Sequence, residues 1–124
     1  MKLEFSNEKS IYLQIAESIG DDILKGRIGE ETQIPSTNQM AILYKINPAT
    51  AGKGINILVD RGILYKRRGI GMFVAEGAKK MIQAARKEQF FEKYISSLLE
   101  EAKNLGIGTD ELIAMIKKGG EPNA

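Results

Sequence analysis

Apolar residues recur with a helical period along the first part of the chain. In residues 11–25, IYLQIAESIGDDILK, Ile11, Ile15, Ile19 and Ile23 stand four apart, with Ala16 and Leu24 beside them. That spacing predicts an amphipathic helix with one apolar stripe. Gly26 is the expected stop, because the residue after a last turn often takes a positive φ. Residues 27–35 read as a loop with a short strand at Thr32–Ile34. Ser36 then reads as a helix N-cap, and Gln39 completes a capping box, each side chain satisfying a free backbone N–H of the other residue. The short helix 37–43 is expected to turn Met40 and Leu43 inward. After a turn at 44–46, Asn47-Pro48 opens the next helix. Asn caps it, and Pro takes the first helical position, where its missing N–H costs nothing. This helix runs to about Arg61, burying Ala51, Ile55, Leu58 and Val59, and Gly62 ends it.

The period then changes. Ile63–Arg67 and Met72–Ala75 read as strands, and Gly69-Ile70-Gly71 supplies the turn between them. From Lys79 to about Asn104 the chain has no Gly or Pro and reads as one long helix. Phe91, Ile95, Leu98, Ala102 and Leu105 alternate spacings of four and three, a heptad seam. Gly106 ends that helix. Thr109 is expected to cap a last one, with Leu112, Ile113 and Ile116 on one side and Gly119-Gly120 at its close. The order helix, helix, turn, helix, hairpin predicts an α+β, mostly α fold: a winged helix-turn-helix domain over residues 1–76, followed by a two-helix tail over 77–124.

Composition narrows the function. Hydrophobic residues make up 43% of the 124, enough for a packed core. No apolar run approaches the roughly 18 residues of a membrane span, and MKLEFSNEKS has no apolar signal core. A cytoplasmic protein is the expectation. Cysteine and histidine are both absent, which removes thiolate chemistry, the commonest general base and the commonest metal ligand. No metal or cofactor is expected. The adjacent carboxylates Asp21-Asp22, Glu30-Glu31 and Glu100-Glu101 diverge by about 100° on a helix and read as solvated faces. Gly52-Lys53-Gly54 lacks the spacing of a phosphate-binding loop. An enzyme is not expected.

Charge adds a positive signal. Residues 1–43 carry a net −3, residues 44–75 a net +5, and residues 76–124 cancel. A basic segment inside a balanced chain points to a polyanion-binding face. A recognition helix needs polar side chains near its N-terminus, the end that enters the major groove, and Asn47, Thr50 and Lys53 qualify. Asn47 either pairs with adenine or only caps the helix. Thr50 suits a phosphate or a thymine methyl, and Lys53 a phosphate. Small Ala49 permits close approach. Gly52 and Gly54 allow either close groove approach or close packing. Lys66, Arg67 and Arg68 end one strand, where neighbours point to opposite faces. Arg67 and Arg68 are the expected contacts, Arg68 at the tip.

Four segments, IYLQIAESIGDDILKGRI, IPSTNQMAILYKIN, the helix ending LVDRGIL, and KRRGIGMFV, resemble the DNA-binding domain of the GntR family of bacterial transcription regulators. INPATAGKG and the two-helix tail resemble its YtrA-like branch. The resemblance implies that Ser36, Thr37 and Asn38 approach the DNA backbone. It also implies that Pro48, Ala49, Thr50 and Gly52 occupy contact positions of the recognition helix, and that Arg68-Gly69 forms the wing tip. Asn38, Pro48 and Gly52 stand where many members have Arg.

The expected partners are a double-stranded DNA operator and a second copy of the chain. The tail seam either pairs two chains or packs on its own winged domain. The dimer is preferred, because Phe90, Phe91 and Tyr94 add more apolar surface than one small domain covers. A small-molecule effector stays open; the tail is too short for a separate ligand domain. The alternative reading is a winged helix that binds a protein partner with the same faces.

Overall fold

The computed structural model describes residues 10–120; the outer ends of both expected domains, 1–9 and 121–124, lie outside them. Two compact units divide the chain, Met1–Ala84 and Ala85–Ala124. Among the described residues no helix is long and apolar enough to cross a membrane.

The first unit is built from α1 (Ile11–Leu24), α2 (Thr37–Tyr44), α3 (Pro48–Asp60), the hairpin strands β1 (Leu64–Arg67) and β2 (Gly71–Val74), and the start of α4 (Ala78–Phe90). Ile15, Ile19 and Ile23 of the α1 stripe are buried against Met40 of α2 and Ala51, Ile55 and Leu58 of α3. Leu64 and Val74 close this core from the hairpin, and Ala78 and Ile82 from α4. Those last two residues explain why the first unit runs past the boundary expected at residue 76. Gly54 sets the α1–α3 distance: a Cβ built there would lie 2.7 Å from the carbonyl oxygen of Tyr12 and 3.0 Å from Ile15 Cγ2. Close packing is therefore its role.

Gly26 and Gly62 end α1 and α3 with φ of +77° and +76°. The strands pair antiparallel, Leu64 with Val74 through Arg67 with Gly71. Residues 31–34 run along the other side of β2. Ile34 N–H donates to the Met72 carbonyl at 2.9 Å, and Val74 N–H to the Thr32 carbonyl at 3.0 Å. The short strand expected at Thr32–Ile34 is thus reduced to a single bridge, Gln33 to Phe73.

Two expectations about burial need correction. Leu43 is 64% exposed. In a helix of eight residues whose last five are all apolar or aromatic, no period marks the inner face; Met40, Ala41 and Tyr44 turn inward instead. Val59 is only half-buried, at the rim of the core.

The second unit holds the end of α4, α5 (Ser96–Asn104) and α6 (Thr109–Gly119). The long helix expected from Lys79 to Asn104 is interrupted by a π-helical turn, Phe91–Ile95. Such a turn bonds i to i+5 and is wider than an α-turn. The α-helical period that the seam assumes therefore does not run unbroken from Phe91 to Leu105. Ala102 is buried beside the turn into α6, where its carbonyl accepts from Ile107 N–H at 2.8 Å. Phe91, Leu98 and Leu105 are exposed, and Ile95 is half-buried. The N-cap of α6 is Gly108, with no side-chain cap; Thr109 is the first helical residue, contrary to expectation.

Candidate nucleic-acid interface

The helix-turn-helix is fixed by local side-chain chemistry. Ser36 Oγ accepts from Gln39 N–H at 3.1 Å, and Gln39 Oε1 accepts from Ser36 N–H at 2.8 Å. Lys45, with φ +53°, closes α2 in the left-handed region, and Ile46 N–H donates back to the Ala41 carbonyl at 3.1 Å. That reversal delivers Asn47, whose Oδ1 accepts from Ala49 N–H at 2.8 Å. Asn47 therefore caps α3, with Pro48 behind it in the first helical position.

This start leaves the first turn of α3 open to solvent. Pro48, Ala49 and Lys53 are exposed and Thr50 is half-buried. Lys53 Nζ lies 4.1 Å from the centre of the Tyr12 ring, a cation–π contact that holds the ammonium against α1. Thr37 is half-buried, and its methyl would be 3.5 Å from a Cβ at Gly52. It packs α2 onto α3, while Asn38 next to it is exposed.

The hairpin separates its three cations. Arg68 is exposed at the tip beside Gly69, whose φ is +77°, and has no partner among the described residues. Lys66 shares a face with Leu64; Arg67 shares the opposite one with Tyr65. Arg67 is engaged. Its Nη2 lies 3.2 Å from Glu31 Oε2 and 3.0 Å from the Tyr65 hydroxyl, and its guanidinium stacks 4.2 Å from the Phe73 ring centre. Tyr65 donates its hydroxyl hydrogen to the same Glu31 oxygen. Gln33 Nε2 donates to the Ile70 carbonyl at 3.1 Å and holds the wing tip from outside the hairpin.

The acidic pairs are not all solvated faces. Glu30 accepts from the N–H groups of Gly77 at 2.7 Å and Lys79 at 3.1 Å, capping α4 from a distant loop. Those two backbone bonds, Gly77's the larger effect, hold its carboxyl below the ordinary range. Glu31 anchors the wing. Asp22 is buried, with Oδ1 3.4 Å from Arg27 Nη1. Burial, and then the Asp22 charge, push the Tyr44 hydroxyl up. Glu100 and Glu101 are exposed as expected; the expectation failed for Asp22, Glu30 and Glu31 because their partners are set by tertiary contact or burial. Tyr12 and Gln33 were missed for the same reason.

A capped second helix, a tight reversal, a third helix with an open first turn, and a basic hairpin define a winged helix-turn-helix protein. The chain belongs to the GntR family: residues 11–74 match the bacterial regulatory proteins, gntR family. It is therefore a transcription regulator of that family and not an enzyme. It is similar to the uncharacterized HTH-type transcriptional regulator YhcF of Bacillus subtilis (strain 168), 32% identical over 94% of this chain and 95% of that one. It is 29% identical to the HTH-type transcriptional repressor YtrA of the same organism, over 91% of each. Both likenesses run along nearly the whole length of this chain. A putative GntR-family regulator from Bacteroides thetaiotaomicron has the same fold, with a TM-score of 0.70 and 40% identity over 88% of this chain and 95% of that one.

Proposed function

We propose that the chain is a cytoplasmic, sequence-specific repressor that binds a palindromic operator as a homodimer. The first turn of α3 enters the major groove, and Arg68 meets a phosphate at the flank. The observation that carries this reading is the exposed, side-chain-capped start of α3 in a helix-turn-helix, with a cation at the wing tip that has no partner among the described residues. Ala49, Thr50 and Lys53 face the groove. Asn38, Arg68 and Gly69 line its edges, and Ser36, Thr37 and Asn47 shape the frame. Repression is supported by the likeness to YtrA, named a transcriptional repressor. Dimerisation through residues 77–124 is supported by exposed Phe90, Phe91, Tyr94, Leu98 and Leu99, since neighbouring exposed apolar side chains mark an interaction site.

Titrating a labelled duplex against salt tests this reading. Log affinity should fall linearly with log salt, and Arg68→Ala should shallow the slope by up to about 0.9, one phosphate. Binding that ignores salt, or no binding to duplex carrying the upstream region of the chain's own gene, would refute it.

A further inference from the structure

Glu31 is a residue whose backbone and side chain tell one story. Its φ is +65°, a conformation that glycine adopts without penalty and L side chains rarely take. The residue kept there is an acid, and its carboxylate is aimed at the wing. It accepts the Tyr65 hydroxyl hydrogen and lies 3.2 Å from Arg67 Nη2, while Phe73 supports the guanidinium from behind. Arg67 thus already faces a carboxylate oxygen, an anionic acceptor of the kind a DNA phosphate offers. Arg68, one residue on, holds none among the described residues.

We propose that Glu31 is an intramolecular stand-in for a DNA phosphate. It occupies Arg67 in the free protein, and Arg67 reaches DNA only by exchanging one anionic acceptor for another. The proposal rests on the DNA-binding reading above. It makes the two neighbouring arginines unequal. Arg68 attracts any duplex, whereas Arg67 contributes only where the backbone sits closely enough to displace Glu31. The pair is half-exposed on both sides, so the exchange is reversible and the latch is weak. Its consequence is selectivity against loosely held DNA.

The test is a double-mutant cycle on a mixed-sequence duplex of about 30 base pairs, read by anisotropy between about 50 and about 200 mM salt. Glu31→Gln keeps an acceptor for Tyr65 and removes the charge. It should tighten binding up to about fivefold, the ceiling for an exposed pair, and steepen the salt slope by up to about 0.9. In an Arg67→Ala background the same change should do neither. Equal tightening in both backgrounds would mean that only a nearby negative charge had been removed, and would overturn the proposal. Unchanged or weaker binding by Glu31→Gln would overturn it too. Glu31→Gly, which relieves the positive φ, supplies the same reading if Gln perturbs folding. A wild-type chain that fails to bind the duplex sinks the DNA-binding reading itself; a wild-type chain that binds, with a flat cycle, sinks only this inference.

Discussion

Gly52 and Gly54 lie two residues apart in α3, and the structure assigns opposite signs to the same substitution at each. Ala in place of Gly in a helix interior is worth about 1 kcal/mol of propensity. At Gly52 the added methyl meets only Thr37 Cγ2, at 3.5 Å, an ordinary contact. Gly52→Ala should therefore stabilise by about 0.5–1 kcal/mol. At Gly54 the methyl would sit 2.7 Å from a carbonyl oxygen of α1 and 3.0–3.1 Å from the buried Ile15 side chain. A backbone atom cannot rotate away, so α1 and α3 must separate. Overpacking of this kind costs about 1–3 kcal/mol or more, which outweighs the propensity gain. Because the clash is with backbone, the upper part of that range, about 2–3 kcal/mol, applies, and the net loss should be about 1–2 kcal/mol, equivalent to a fall in Tm of about 4–15 °C for a unit of this size. Urea titrations of the two variants, compared by midpoint at a common slope, decide it. Midpoints that move together would refute the reasoning. So would a Gly54→Ala variant that is more stable than the wild type, because it would show that the interhelix contact is soft.

Other perturbations bear on the caps and the tail. Asn47→Ala should destabilise by about 0.5–2 kcal/mol in thermal melts, whereas Asn47→Ser, which keeps an accepting oxygen, should not. If Asn47→Ser also binds operator like the wild type, the amide reads no base. Glu30→Gln should melt lower than wild type at neutral pH. Because folding lowers the Glu30 pKa, its contribution is complete above the ordinary carboxylate range and fades as pH falls through the lower, folded value. The gap in Tm between variant and wild type should therefore close in acid, and a gap that persists there would refute the cap. Leu98→Lys should convert a dimer to a monomer in sedimentation, since an unpaired charge in a dry interface costs several kcal/mol. A wild-type monomer at micromolar concentration would refute the tail assignment.

What was legible in the sequence was chemistry that a residue performs on its near neighbours. Ser36 with Gln39, Asn47 with Pro48, and Gly26 and Gly62 after their helices each announce a local hydrogen-bond or φ requirement, and each does in the fold what it announces. The α1 stripe was legible because one face of a long helix must meet a core. Leu43 was not, because an unbroken apolar run carries no phase. Glu30 and Glu31 read as surface because their partners lie 34 to 49 residues away. Lys45 takes a left-handed φ that a glycine would have signalled. The π-turn at Phe91–Ile95 was not legible because a period read from spacing assumes that the helix stays α throughout.

The hairpin has an asymmetry with a meaning apart from DNA. One side of β2 is covered by residues 31–34, whereas β1 pairs with no other segment than β2 among the described residues. An unpaired edge is a template on which another chain can add a strand. Here the edge ends in Lys66, Arg67 and Arg68, and a second copy laid against it in register or nearly so would bring like charges together. The cations expected to meet phosphate thus also keep free molecules from zipping edge to edge, and a variant stripped of them to abolish binding would lose solubility along with affinity.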